Sequence, residues 1–279
     1  MFRVKNMSAN DFNFAVRITD RMNWHLAKED FEFMTELEPK GCFLLLDNSE
    51  RIGIATAIAF GKVGWFGNLI VSESHRKKGA GSFLVKNALK YLKSRNVVTV
   101  GLYAYPERIP FYRRLGFSYD SDFMVLNGKG FPSSARIDLK KAEKEDIPEI
   151  VKYDRLCFGA SRRRLLEPIL LDPDNLCYFS TEKEQISGYA VAKIYPQGAE
   201  LGPLVCRKGR SDIAIRLLRT ILDKLLGLEV SMYVSRKENV ILKMLMKSGF
   251  SENFQVARMF YGPPIVKDSI YAAESLERG

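Results

Sequence analysis

Arg76-Lys77-Lys78-Gly79-Ala80-Gly81 follows an apolar run, Asn68-Leu69-Ile70-Val71, and opens an amphipathic segment. An R-x-x-G-x-G turn at a strand-to-helix junction is suited to holding an anion. The first N–H groups of a helix have no intrahelical partners, and the helix dipole adds partial positive charge beside them. Glycines allow the backbone to approach an anion closely, and a pyrophosphate is the anion such a seat fits. The residues assigned to it are Arg76, Lys77, Lys78, Gly79, Ala80, Gly81 and Ser82. Leu69, Ile70 and Val71 lie on the strand that leads in. Taken alone, this glycine spacing also suits an ordinary turn.

A second motif, Ile109-Pro110-Phe111-Tyr112-Arg113-Arg114-Leu115-Gly116-Phe117, lies ~35 residues on, about the length of a helix, a strand and a short second helix. Together the two motifs resemble the GNAT N-acetyltransferase superfamily, specifically over residues 42–126 and more loosely over 1–41. The resemblance implies that the turn grips the pyrophosphate of acetyl-coenzyme A and that Tyr112 points at the coenzyme sulfur. It further implies that the strand at Leu69–Val71 splays from its neighbour and pairs with the pantetheine arm, much as a peptide adds to an open strand edge. A backbone N–H near Asn68–Leu69 would polarise the thioester carbonyl. Attack would be direct, in a ternary complex, since neither motif contains a cysteine and Cys42 is not an expected nucleophile. Tyr112 is the expected catalytic residue, as proton donor to the departing thiolate; packing on Phe117 is its ordinary alternative. Many members carry Asn and Ala seven and four residues before this tyrosine, where this chain has Tyr105 and Arg108.

No general base announces itself. His25, Glu73 and His75 lie near the motifs, and water relayed to bulk is the favoured proton acceptor. The acceptor is expected to be a small-molecule or peptide amine. Asn23-Trp24-His25 and the acids Glu29, Asp30, Glu32, Glu36 and Glu38 fall where GNAT enzymes shape the acceptor cleft. An acidic rim with an aromatic would suit a cation, but a solvated helix face packing through Phe31, Met34 and Leu37 is the preferred reading. Trp65 either enters the cleft or fills the core.

The chain has 279 residues, 46% hydrophobic and 11% aromatic, which suits two domains of a globular protein. No apolar run approaches the ~20 residues of a membrane span, and Met1–Asn6 lacks the apolar core of a secretory signal. Cys42, Cys157, Cys177 and Cys206 stand far apart and the chain has two histidines, so neither a metal site nor a disulfide framework is expected. A cytoplasmic location follows. The net charge of +10 divides as +6 over residues 1–132 and +4 over 133–279 with acids interleaved, so nucleic acid is not the expected partner.

The chain repeats itself. Cys42-Phe43 recurs as Cys177-Tyr178 and Gly53 as Gly188, each 135 residues on, and Leu115-Gly116-Phe117 recurs as Ser248-Gly249-Phe250 after 133. Leu69 is matched with Leu201. The expected architecture is α/β (α+β): two tandem GNAT-fold domains, each a mixed, mostly antiparallel twisted sheet flanked by helices. The first spans residues 1–130 and is catalytic; the second spans 131–279 and is degenerate, with an acceptor-site or structural role. Phe123–Leu126 is expected to close the first sheet and Gly128–Ser134 to link the halves. A strand near Ile137–Lys140 then opens the second half.

Where the phosphate turn would fall, the second half reads Arg207-Lys208-Gly209-Arg210-Ser211-Asp212-Ile213, with a carboxylate and a β-branched residue in place of a glycine. Ser211 or Asp212 suits a helix N-cap. Leu245 stands where Tyr112 stood. This pattern resembles tandem-GNAT proteins of the holothin acetyltransferase type. The alternative for the whole chain is a non-catalytic acyl-coenzyme A-binding sensor, which would not need a thiolate donor.

Overall fold

Each half alternates short β-branched or aromatic runs with amphipathic segments, and all the resulting strands enter one sheet. The computed structural model describes residues 1–24, 26–133, 139–265 and 269–279. In the first half, β1 (Phe2–Asn6) precedes α1 (Phe12–Asp20), α2 (Lys28–Leu37), β2 (Cys42–Asp47), β3 (Glu50–Phe60) and β4 (Val63–Val71). Then come α3 (Ala80–Ser94), β5 (Thr99–Ala104), the short α4 (Ile109–Arg113) and β6 (Phe117–Lys129). The second half repeats the series with β7 (Lys140–Lys141), α5 (Ile147–Phe158), α6 (Arg163–Leu171), β8 (Leu176–Glu182), β9 (Gln185–Tyr195) and β10 (Gly198–Cys206). It continues with α7 (Ser211–Lys224), β11 (Glu229–Ser235), α8 (Asn239–Lys247) and β12 (Ser251–Tyr261), and adds β13 (Ile270–Ala272).

The sheet has 13 strands in the order β1-β2-β3-β4-β5-β12-β6-β11-β13-β10-β9-β8-β7. The two halves exchange their long last strands. β12 lies between β5 and β6, with Ala257 opposite Ala104 and Tyr261 opposite both Val100 and Phe117. β6 in turn lies between β12 and β11, running antiparallel to both. Phe123–Leu126 therefore does not close a first sheet, because β6 is an interior strand shared by both halves. Phe123 and Leu126, on opposite faces of the strand, are both fully buried. The expected linker is also shorter at its start: Gly128 and Lys129 belong to β6, and the Gly130 N–H bonds Leu228 O at 3.0 Å. Residues 134–138 lie outside the described residues, so of the strand expected near Ile137–Lys140 only Lys140–Lys141 is described.

Helix α3 packs Leu84, Val85, Ala88 and Leu92 on the sheet and turns Lys86, Lys90 and Lys93 to solvent, as its 3.6-residue period dictates. On the opposite face, α1 and α2 share one core with α5 and α6, where Phe158 meets Phe60 edge-on at 5.8 Å. Arg164 of α6 reaches across the halves to Glu38 Oε2 at 3.0 Å and to the carbonyls of Leu37 and Ala59. The Tyr91 hydroxyl donates to the other Glu38 oxygen at 2.5 Å. Among the described residues no helix is long and apolar enough to cross a membrane.

Candidate active site

Where β3 pairs with β4, Ile54 faces Ile70 and Thr56 faces Gly67, leaving Asn68 and Leu69 opposite Ala55 alone. That is a bulge, and Asn68 holds the left-handed φ of 51° that asparagine tolerates better than most residues. The bulge turns β4 away from β5. Their parallel pairing covers Val63–Trp65 against Thr99–Gly101 and ends there. A cleft of roughly 1170 Å³ opens in the fork, lined by Leu69, Ile70 and Val71 on one side and by Tyr103, Ala104 and Tyr105 on the other.

At one end of the cleft lies the turn before α3. Gly79 is the N-cap residue, with φ 85°, and a side chain there would be strained although the space beside it is open. The first bond within the helix runs from Phe83 N–H to Gly79 O at 2.9 Å, so the N–H groups of Ala80, Gly81 and Ser82 precede the ladder. Arg76, Lys77, Gly79, Gly81 and Ser82 line the cleft. Lys78 is exposed and Ala80 is buried beneath the helix, and neither is among the lining residues. Arg76 is anchored by its Nε to Val71 O at 3.0 Å and by Nη1 to Glu73 at 3.3 Å.

Tyr112 lines the cleft midway, held by edge-on contacts to Phe111 and Phe117 at 5.0 and 5.7 Å. Tyr112 thus packs on Phe117 and borders the cleft with one side chain. Its hydroxyl makes no hydrogen bond to another described residue. Burial pushes its pKa well up, with Arg108 opposing, so at neutral pH it is a phenol with a proton to give. Burial, reinforced by Glu38, likewise pushes the Cys42 thiol up to about 12 and leaves it un-ionised at neutral pH.

The other end is aromatic. Trp24 Nε1 donates to the Tyr105 hydroxyl at 3.0 Å, and the Tyr105 ring lies 5.4 Å from Phe254 of β12. Asn23 and Trp24 line this end as the sequence suggests, whereas His25 lies outside the described residues. The acids of α2 are elsewhere: Asp30 accepts from Ala27 N–H at 2.8 Å, Glu32 lies 3.7 Å from Lys28, and Glu38 is buried among Tyr91 and Arg164. Trp65 fills the core, 2% exposed, and its Nε1 donates to Leu276 O at 3.3 Å. His75 faces Ser74 and Asp47, and Glu73 faces Arg76, so neither lines the cleft.

An acceptor-site or structural role was expected of the second half, but none of the residues it brings to this wall was identified from the sequence. Ser231 and Tyr233 of β11, Asn253 and Phe254 of β12, and Leu276 and Glu277 beyond β13 all line the cleft. A Cβ added at Gly67 would lie 2.7 Å from the Glu277 Cα, so the glycine is what admits this segment. No local motif in residues 273–279 signals such a placement.

The second half builds the same fork between β10 and β11, paired over Ala199–Leu201 and Val230–Met232. There β13 fills it, with Ala272 opposite both Leu204 and Val234. The Tyr271 hydroxyl sits at the turn before α7, accepting from Arg210 N–H at 3.1 Å and donating to Arg207 O at 3.2 Å. Arg210, not Ser211 or Asp212, is the N-cap residue, and its guanidinium is paired with Glu182 and Asp212. The bulge falls at Gly202-Pro203 opposite Val191, so Leu69 corresponds to Pro203 rather than to Leu201. Proline has no N–H to offer there. Leu245 is a fully buried core residue.

Comparison with known proteins agrees with this duplication. Residues 10–117 match the family model described as the acetyltransferase (GNAT) family, and residues 150–272 match one described as an acetyltransferase (GNAT) domain. An uncharacterized N-acetyltransferase of Bacillus subtilis, YitH, is 21% identical over 79% of the chain and 78% of its own length. The fold is that of an acetyltransferase candidate from Pyrococcus horikoshii, at a TM-score of 0.82 and 20% identity over 100% of this chain and 96% of that one. A tandem GNAT protein from the clavulanic acid biosynthesis pathway aligns with a TM-score of 0.62 and 11% identity over 95% and 100% of the two chains. Among the described residues no group of three or more His, Cys, Asp or Glu side chains is placed to hold a metal ion.

Proposed function

The chain belongs, in both of its halves, to the GNAT acetyltransferase superfamily, and on that premise we propose that its first half transfers an acetyl group from acetyl-coenzyme A to an amine. Bound acetyl-coenzyme A would supply the activated acetyl group as a thioester. The observation that carries the reading is the single cleft that joins an open strand fork, an uncovered helix start and a cleft-facing phenol. Arg76 and Lys77, with the N–H groups of Ala80, Gly81 and Ser82, hold the pyrophosphate. The free edge of Leu69, Ile70 and Val71 receives the pantetheine amides. The Leu69 N–H at the bulge polarises the carbonyl, a contribution of ~3–4 kcal/mol in comparable sites.

The amine nitrogen then forms the C–N bond as the C–S bond breaks with its electron pair on sulfur. Tyr112 gives its proton to that sulfur. Of the two protons the ammonium surrenders, one returns to Tyr112 and one passes to solvent. The cysteines take no part, because burial keeps Cys42, Cys177 and Cys206 protonated. Four buried cysteines outside any disulfide also suit a reducing cytoplasm. The second half carries no second site in this reading: β13 and Tyr271 stand where pantetheine and pyrophosphate would lie, and Pro203 replaces the polarising donor. A coenzyme A sensor without chemistry would leave the free Tyr112 hydroxyl unexplained.

A panel of amines screened with acetyl-coenzyme A, following free thiol, tests the reaction. Tyr112→Phe is expected to keep coenzyme affinity and lose ~10²–10⁴-fold in turnover, the range for removing a general acid. Turnover within a few-fold of wild type would make Tyr112 a packing residue.

A further inference from the structure

Glu277 in the cleft wall belongs to an ion cluster that the second half builds behind it. Lys193 Nζ lies 2.8 Å from Glu200 Oε1 and 2.5 Å from Glu274 Oε1. Arg278 Nε lies 3.0 Å from Glu274 Oε2, and Arg278 Nη1 lies 3.1 Å from Glu277 Oε1. Three carboxylates thus share two cations. Lys193, Glu274 and Arg278 are each 5% exposed or less, so the imbalance sits in a poorly solvated place. Burial, together with Glu277 and Glu274, pushes Glu200 up against the pull of Lys193, as expected of a cluster one positive charge short.

Of the three carboxylates, Glu277 lines the cleft, with its side chain 18% exposed. Around it the wall is apolar or neutral. Tyr103, Tyr105, Tyr233, Phe254 and Leu276 all pack on the small cluster of Phe123, Val256 and Ala273, and Asn127, Asn253 and Ser231 supply uncharged polar groups. The cleft's cations, Arg76, Lys77, Arg108 and Arg114, lie toward the phosphate turn and around α4. Glu107 also lines the cleft, but it is exposed beside Arg108 at 3.8 Å. The aromatic end therefore offers one carboxylate set in a ring-rich wall, a match for one ammonium on an apolar body.

Building on the acetyl-transfer reading of the cleft, we propose that Glu277 binds the ammonium group of the acceptor and that the acceptor is a monoamine with an apolar or aromatic body. A polyamine would bring more positive charge than this wall neutralises, and an acidic acceptor would meet Glu277 with like charge. The segment that follows β13 is then a specificity element: it fills the second half's fork with β13 and delivers Glu277 to the first half's acceptor site.

The test compares wild type with Glu277→Gln, which keeps the shape and removes the charge, in two measurements. The first is turnover of phenethylamine and spermidine. Wild type is expected to favour phenethylamine by at least about tenfold in kcat/KM, and Glu277→Gln to raise its KM about 10–100-fold with kcat within a few-fold, as for loss of a charge-assisted hydrogen bond. The second is calorimetric binding of phenethylamine to the coenzyme A-loaded protein, expected to weaken by the same factor while coenzyme A affinity stays unchanged. An unchanged KM and affinity in Glu277→Gln, a preference for spermidine, or a parallel loss of coenzyme A binding would each overturn the inference. Weakened phenethylamine binding without turnover in any form of the protein would uphold it and instead refute acetyl transfer.

Discussion

At the scale of residues, the proposed site divides into a part that was legible and a part that was not. Gly79, Gly81 and Tyr112 were legible because a left-handed N-cap, an uncovered helix start and a phenol before a helix-ending glycine are local demands written over a few consecutive positions. Glu277 was not, because nothing around it in the chain marks it; only the folding of β13 into the fork brings it beside Gly67. The acids of α2 are close in sequence to Trp24 yet form the solvated helix face that was the preferred reading, packing through Phe31, Met34 and Leu37, with Glu38 alone locked into the core. Asp11 makes a residue-scale prediction about stability. Burial alone would raise its pKa, but hydrogen bonds from Lys5, Ser8 and Arg51 outweigh this and bring it from 3.8 to about 2. A carboxyl whose folded pKa is depressed stabilises the fold above its unfolded pKa and loses that contribution as pH falls through the folded one. The melting temperature of wild type should therefore approach that of Asp11→Asn as the pH is lowered from about 4 to about 2, the wild type being clearly more stable at pH 7. A gap in melting temperature that is constant with pH would contradict this.

At the scale of elements, local pattern marks the strand through Leu69–Val71 and the amphipathic helix after the glycine turn, while strand partners are beyond it. β6 buries residues 123–126 in succession and β12 residues 256–260, so each is covered on both faces where it is central, a pattern that suits an interior strand of either half equally well. Their exchange is a matter of long-range register. α6 has a weak local signature because Pro168 sits inside it, and β13 because three residues carry too little pattern to read. The match of Leu69 with Leu201 failed by two residues because the bulge at Asn68-Leu69 has its counterpart at Gly202-Pro203. The exchange has a mechanical consequence. Phe260 of β12 is 2% exposed and meets Trp65 of the first half edge-on at 6.4 Å. Phe260→Ala should cost ~3–5 kcal/mol in equilibrium denaturation, the usual loss for a buried phenylalanine, and the loss should be seen equally by a probe placed in either half. A loss confined to the second half would contradict the strand order.

At the scale of the whole molecule, duplication has given two forks in one sheet with different fates. The first keeps its bulge donor, its glycine turn and its tyrosine open to a cleft; the second has a proline at the bulge, a leucine at the tyrosine position and its own chain in the fork. Expected boundaries near residue 130 describe ancestry better than mechanics, since a cut there would strip β12 from the first half and β6 from the second. The second half is on this view a structural partner that completes the first half's sheet and its acceptor wall. Titrating acetyl-coenzyme A into the protein by calorimetry tests the central claim most directly. One site per chain is predicted in wild type and in Asp212→Ala, and none in Gly79→Asp, which places a strained side chain and an anion in the phosphate seat with the fold intact by circular dichroism. Two sites per wild-type chain, or undiminished binding in Gly79→Asp, would contradict it.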